Sequence, residues 1–187
     1  ESINSARSST MSFSKARNSL ASSFVRGIYN YHDRYILTAT YRLDGSSRFQ
    51  GSNKWSSFPS FAFAWRINQE RWFNCDAVSQ LKFRAGWGMV GNQAISNYQT
   101  FSNYANGKLA SHASSAGYNT SLYASNIANP DLRWETTEQY NVGLDVGLFR
   151  GRLSFTADFY NKNTRDLLQK KTIALASGNE TIWMNQG

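Results

Sequence analysis

The feature that most limits what this chain can fold into is a side-chain period of two, held over runs longer than ordinary strands. In DRYILTATYRLD, Tyr35, Leu37, Ala39, Tyr41 and Leu43 share one face. Thr38, Thr40, Arg42 and Asp44 share the other, with Ile36 the only apolar intruder. SFAFAWRIN sets Phe61, Phe63, Trp65 and Ile67 against Ser60, Ala62, Ala64 and Arg66. LKFRAGWGM sets Leu81, Phe83, Ala85, Trp87 and Met89 against Lys82, Arg84, Gly86 and Gly88. YNVGLDVGL sets Tyr140, Val142, Leu144, Val146 and Leu148 against Asn141, Gly143, Asp145 and Gly147. LSFTADFYNK sets Leu153, Phe155, Ala157 and Phe159 against Ser154, Thr156, Asp158 and Tyr160. A weaker run covers Leu20–Tyr31, and Thr181–Asn185 reads as the start of another. Side chains alternate sides along a strand, so the pattern dictates an all-β chain of antiparallel strands, each with an apolar and a polar face.

One motif points elsewhere and has to be weighed. AGWGMVGN places Gly86, Gly88 and Gly91 at the G-x-G-x-x-G spacing of a dinucleotide-binding turn. That turn needs a helix opening at the third glycine and an acidic residue about twenty positions on. The following NQAISNYQTFSNYANGKLASHASSAG has no helical apolar stripe, and after Asp76 the next carboxylate is Asp131. The glycines belong to a strand instead, where they bend it or leave room beside the polar face.

A half-buried antiparallel sheet could be a soluble sandwich, for example an aromatic-rich carbohydrate-binding module. Three properties favour a membrane barrel. The apolar rows carry large aromatics while the polar rows are small, charged or glycine. The runs approach the nine to eleven residues that a tilted strand needs to cross a bilayer, roughly twice the usual five or six. Aromatics also recur near run ends (Tyr35, Tyr41, Trp65, Trp87, Tyr140, Phe159), as in interfacial girdles. The connections add a fourth. Tyr31–Arg34 and Phe149–Arg152 are tight, Asn68–Gln80 is intermediate, and Gly45–Lys54, Gly91–Pro130 and Asp166–Glu180 are long. Counting strands alternately up and down puts both tight turns on one side and the long loops on the other, the asymmetry of outer-membrane barrels. On this reading Tyr35, Leu37, Tyr41, Phe61, Phe63, Trp65, Phe83, Trp87, Val142, Leu144, Phe155 and Phe159 face lipid. Arg42, Arg66, Lys82, Arg84, Asp145 and Asp158 face the lumen or whatever fills it.

Other classes find little support. The net charge of +8 is spread singly, with Lys170-Lys171 the densest cluster, so no nucleic-acid footprint forms. Cys75 is alone, and His32 and His112 lie far apart without ligand spacing, so neither a disulfide nor a metal or other cofactor is expected. No catalytic set converges among two His and twelve acids, so the chain is not read as an enzyme. ESINSARSSTMSF lacks the apolar stretch of a signal peptide.

Several motifs carry a resemblance to a known family. YHDRYILTATYRLDGSSRF, NKWSSFPSFAFAWRINQERWF, LKFRAGWGMVGNQAISNY, NPDLRWETTEQYNVGLDVGLF, GRLSFTADFYNKNTRDLL and the closing MNQG are together similar to the barrel region of SusC/RagA-type TonB-dependent outer-membrane transporters. The resemblance spans about residues 20–187 and rests most on DGSSRF, FPS, GNQ and NPDLRWE. It implies that residues 1–187 are an internal part of a barrel of about 22 strands, contributing six to eight of them, with plug, signal peptide and C-terminal strand outside this chain. It also implies import of an oligosaccharide or peptide in the bacterial outer membrane. A SusD-like surface lipoprotein and the TonB complex, reached through the missing N-terminal region, are the implied partners. Residues 91–130 become a long extracellular loop, where Tyr98, Tyr104, Tyr118, Tyr123, Asn97, Asn103 and Asn119 are candidates for substrate contact, or for packing the loop and meeting the lid protein. Three local expectations carry no chemistry. Asp44-Gly45 begins a surface turn with Gly45 at positive φ, Pro59 opens a strand, and Asn129-Pro130-Asp131 turns into a strand begun at Leu132.

Overall fold

The alternating segments all form strands, and each pairs with its sequence neighbour. In the computed structural model, which describes residues 15–108, 120–174, 178–179 and 181–187, the strands are β1 (Leu20–Tyr31), β2 (Tyr35–Ser46), β3 (Trp55–Arg66), β4 (Val78–Asn92), β5 (Tyr104–Lys108), β6 (Thr120–Ala124), β7 (Glu135–Leu148), β8 (Leu153–Arg165), β9 (Leu167–Thr172) and β10 (Thr181–Gln186). Six of them make one antiparallel sheet in the order β1-β2-β3-β4-β7-β8. The long alternating runs leave only one register that keeps the two faces separate, because a one-residue slip would exchange them. Tyr35, Trp65, Phe83 and Leu144 accordingly stand opposite one another across four strands, as do Ile36, Ala64, Arg84, Gly143 and Asp158 on the other face.

The glycine motif lies within β4, with no helix after it. A Cβ at Gly86 would run into the Asn141 amide, one at Gly88 would come 3.0 Å from Ser60 Cβ, and one at Gly91 would collide with the Phe58 ring. These glycines permit close cross-strand approach. The second tight connection and the first both use left-handed residues: His32 and Asp33 (φ 51° and 56°) in one, Phe149 and Arg150 (φ 53° and 58°) in the other. Those are the primed-turn angles whose twist matches paired strands.

Several expectations need correction. Gly45 has no positive φ; β2 continues through it to Ser46, and Gly45 is glycine because the Trp55 ring lies 2.6 Å from where its Cβ would be. Pro59 sits inside β3 rather than at its start. The ladder to β4 begins only at Ser60↔Gly88, so the missing donor falls where pairing on that side stops. β7 starts at Glu135, not Leu132. Asn129 Oδ1 accepts the Asp131 N–H in the turn before it, and Leu132 and Trp134 are buried in the loop. The long Gly91–Pro130 connection is not structureless, since β5 and β6 pair within it. Thr181–Gln186 is a strand, but it pairs with β9 in a separate hairpin.

Among the described residues the buried core is not under the sheet. Phe49, Phe58, Ile95, Leu132, Trp134 and Leu168 pack together at the loop end, with Met89 and Trp183 against them. The sheet's apolar face stays uncovered, with Phe61, Phe155 and Phe159 at 56%, 61% and 73% exposure.

Candidate functional site

The polar face forms a groove of about 720 Å³, floored by small residues such as Thr38, Thr40, Ser60, Ala62, Gly86 and Gly88. Cross-strand register brings Arg84 between two acids. Its Nε and Nη2 donate to Asp145 (2.9 Å each), and Nη2 also reaches Asp158 Oδ1 at 3.0 Å. Gly143 makes this possible, because a Cβ there would strike Asp158 and the Arg84 guanidinium. Lys82 stands in register between Arg66 and Asp145. Arg42 pairs on its own strand: Nε lies 2.9 Å from Asp44 Oδ2 but is misaligned for a hydrogen bond, and the guanidinium covers the Phe58 ring at 5.5 Å. Asp44 Oδ1 is buried without a hydrogen-bond partner.

On the apolar face the rings form contiguous rows. Tyr35 stacks on Trp65 and Phe63 at 6.1 and 6.5 Å, and Trp87 lies 5.8 Å from Phe61 and 6.5 Å from Tyr140. Leu37, Tyr41, Val142, Leu144, Phe155 and Phe159 share this exposure, and Phe83 is half-buried within it. Each row ends on one glutamate. Toward the loops, Glu138 accepts from Trp87 Nε1 (2.8 Å), the Tyr140 hydroxyl (2.7 Å) and Arg165 (3.0 Å). Toward the turns, Glu70 accepts from the Tyr35 hydroxyl (2.6 Å), Trp65 Nε1 (3.1 Å) and Arg34 (3.5 Å). The Tyr35 and Trp65 hydrogen bonds, helped by the Arg34 charge, hold the Glu70 carboxyl below the ordinary range against its partial burial.

At the loop end, the candidate contact residues are dispersed. Tyr118 and Asn119 lie outside the described residues. Asn97 is committed to Arg48, whose Nε donates to its Oδ1 at 3.0 Å. Asn103 donates through its backbone to Asn126 Oδ1 (2.7 Å) and through Nδ2 to the Tyr98 carbonyl (3.1 Å). Tyr104 and Tyr123 are exposed, yet Tyr104 stands opposite Ala124 and Tyr123 opposite Ala105, so the rings lie on opposite faces of the hairpin. They do not make one platform. Sequence reasoning missed Arg48, Phe49, Leu132 and Trp134 as organisers. Arg48 ties its loop to the Gln93 carbonyl (2.8 Å), and Trp134 Nε1 donates to the Lys54 carbonyl (3.2 Å). All four lie in DGSSRF or NPDLRWE, the two segments that build and tie down the loop-end core.

A family profile described as TonB dependent receptor-like, beta-barrel, matches residues 1–187. The chain is 38% identical over 171 residues to TonB-dependent receptor P26 of Formosa agariphila, covering 90% of this chain and 17% of that protein. It is 38% identical over 169 residues to TonB-dependent receptor SusC of Bacteroides thetaiotaomicron, covering 86% and 16%. The solved structure of the RagAB peptide transporter superimposes with a TM-score of 0.81 at 29% identity, covering 91% of this chain and 18% of that one. The chain thus spans about a sixth of the length of the curated relatives it matches.

Proposed function

The chain belongs to the TonB dependent receptor-like β-barrel family, with SusC and RagAB among its relatives, and from that membership we propose that it supplies wall and surface loops to an outer-membrane nutrient importer. The family is one of receptors and transporters. In this reading the nutrient is an oligosaccharide or peptide, a SusD-like lipoprotein covers the loop end, and the TonB complex drives release inward.

The supporting observation is the contrast between the sheet's two faces. Leaving a large apolar side chain in water forgoes roughly 1.5–3 kcal/mol. A face of half-exposed rings therefore forgoes an amount on the order of a domain's whole net stability, about 5–15 kcal/mol. Such a face requires an apolar neighbour, and no second sheet covers it among the described residues. Lipid meets that requirement without closing the groove behind. The polar face then borders the lumen, where Arg42, Arg66, Lys82, Arg84, Asp145 and Asp158 line the path or meet a plug. Substrate contact falls to the loop end, with Tyr98, Tyr104 and Tyr123 the available rings. A soluble carbohydrate-binding sandwich would need that second sheet.

Deleting the gene for the whole protein should abolish uptake of a labelled nutrient oligosaccharide or peptide, and inactivating TonB should do the same. Uptake that persists without TonB would sink the reading.

A further inference from the structure

A second cavity lies at the loop end, away from the groove. It measures about 350 Å³, and its lining includes Arg17, Arg48, Lys54, Asn97, Tyr98 and Phe101, with no carboxylate among the described residues. The charge arrangement sets it apart. At the same end Arg42, Arg133 and Arg165 each lie within 2.9–3.0 Å of a carboxylate oxygen. Arg17, Arg48 and Lys54 form no ion pair among the described residues, and they share one cleft. The cleft is also fixed in shape. Arg48 Nε and Nη1 are spent on Asn97 Oδ1 and the Gln93 carbonyl, which aims the guanidinium and leaves Nη2 free. The backbone carbonyls of Arg48 and Lys54 are held by the Thr100 hydroxyl and the Trp134 indole. Tyr98 sits at φ 64°, a conformation that costs a non-glycine residue energy and recurs at ligand clamps. Its hydroxyl accepts from the Arg17 N–H at 3.1 Å, so its own proton remains available to donate. Tyr98 and Phe101 present exposed ring surface at the mouth.

We propose that this cleft binds an anionic sugar unit, a sulfate ester or carboxylate on a pyranose ring. The inference rests on the import reading and gives it a substrate class. The free Nη2 of Arg48 and the unpaired Arg17 and Lys54 charges match the anionic oxygens of such a group. The aromatic pair offers faces for the ring's C–H surface. The volume falls at the lower end of small-ligand sites, about 300–1,000 Å³, which suits one unit of a longer chain.

The test is calorimetric titration of the purified full-length protein with sulfated maltohexaose, hexagalacturonate, neutral maltohexaose and hexaglutamate. An anionic sugar should bind about tenfold or more tightly than the neutral one, and more weakly at high salt. Arg17→Gln with Lys54→Gln should weaken that binding about tenfold while leaving the melting temperature unchanged, since neither side chain holds the fold. Arg48→Lys should weaken it too, by losing the Asn97 and Gln93 bonds that aim the charge into the cleft while keeping the charge. Equal binding of neutral and anionic sugars, tighter binding of hexaglutamate, no binding of any probe, or indifference to the double substitution would each overturn the proposal. Titration involves no TonB, so these outcomes leave the import reading to its own uptake assay.

Discussion

At the loop end, apolar side chains from well-separated segments (Phe49, Phe58, Ile95, Leu132, Trp134 and Leu168) are buried together. At the turn end the described residues bury no large apolar side chain; the chain reverses through left-handed pairs and gathers its polar tips on Glu70. Long connections have to recover the entropy of ordering themselves, and a private core does so. A tight turn orders few residues and needs only local geometry. Distant substitutions should therefore spread through the loop end and stay confined at the turn end.

The largest expected effect is that of Trp134→Ala. It removes ring contacts with Phe49 and Phe58 at 5.4 and 5.7 Å and the bond to the Lys54 carbonyl. The loop end should lose about 3–5 kcal/mol, seen as faster hydrogen exchange in residues 45–54 and 93–103 of the full-length protein. Matching changes at Tyr31–Arg34 would break the comparison. Gly91→Ala comes next, because its methyl group meets the buried Phe58 ring. A loss of about 1–3 kcal/mol in the same segments is expected from overpacking, read by the same exchange measurement.

Acid should loosen the Glu70 cluster at the turn end. The Glu70 carboxyl has a lower pKa folded than unfolded, so its contribution is complete above the unfolded value of about 4.3. That contribution is lost as pH falls through the lower folded value. Trp65 fluorescence should shift across that window, and Glu70→Gln should remove the step. Smallest of all, Arg150→Gly relieves a left-handed residue and should raise stability by at most about 1 kcal/mol in thermal unfolding; a loss would mean the turn's angles are not what holds it.

What could be read from sequence divides along the same line. Alternation in Tyr35–Leu43, Phe61–Ile67 and Leu81–Met89 is a local property, so strands, faces and the failure of the nucleotide fingerprint were all legible. The loop-end core was not, because Leu132 and Trp134 are fixed by partners eighty residues away, which periodicity does not report. Gly45 looked like a turn glycine since the Trp55 ring it accommodates lies across a strand pair. Asn97 and Asn103 looked available for ligand because their bonding partners are loop residues with no pattern of their own. The basic cleft escaped notice for the same reason: Arg17, Arg48 and Lys54 are scattered in sequence and joined only by folding.

The β5–β6 hairpin hangs from a clasp. Asn103 and Ser125 join through backbone at 2.8 Å, and Asn126 clips both Asn103 and the Phe101 carbonyl at 2.7 and 3.0 Å. Below it, the pair Asn92↔Glu135 has already closed the wall. Among the described residues β5 and β6 pair only with each other, so the register of the six-stranded sheet beneath is set without them.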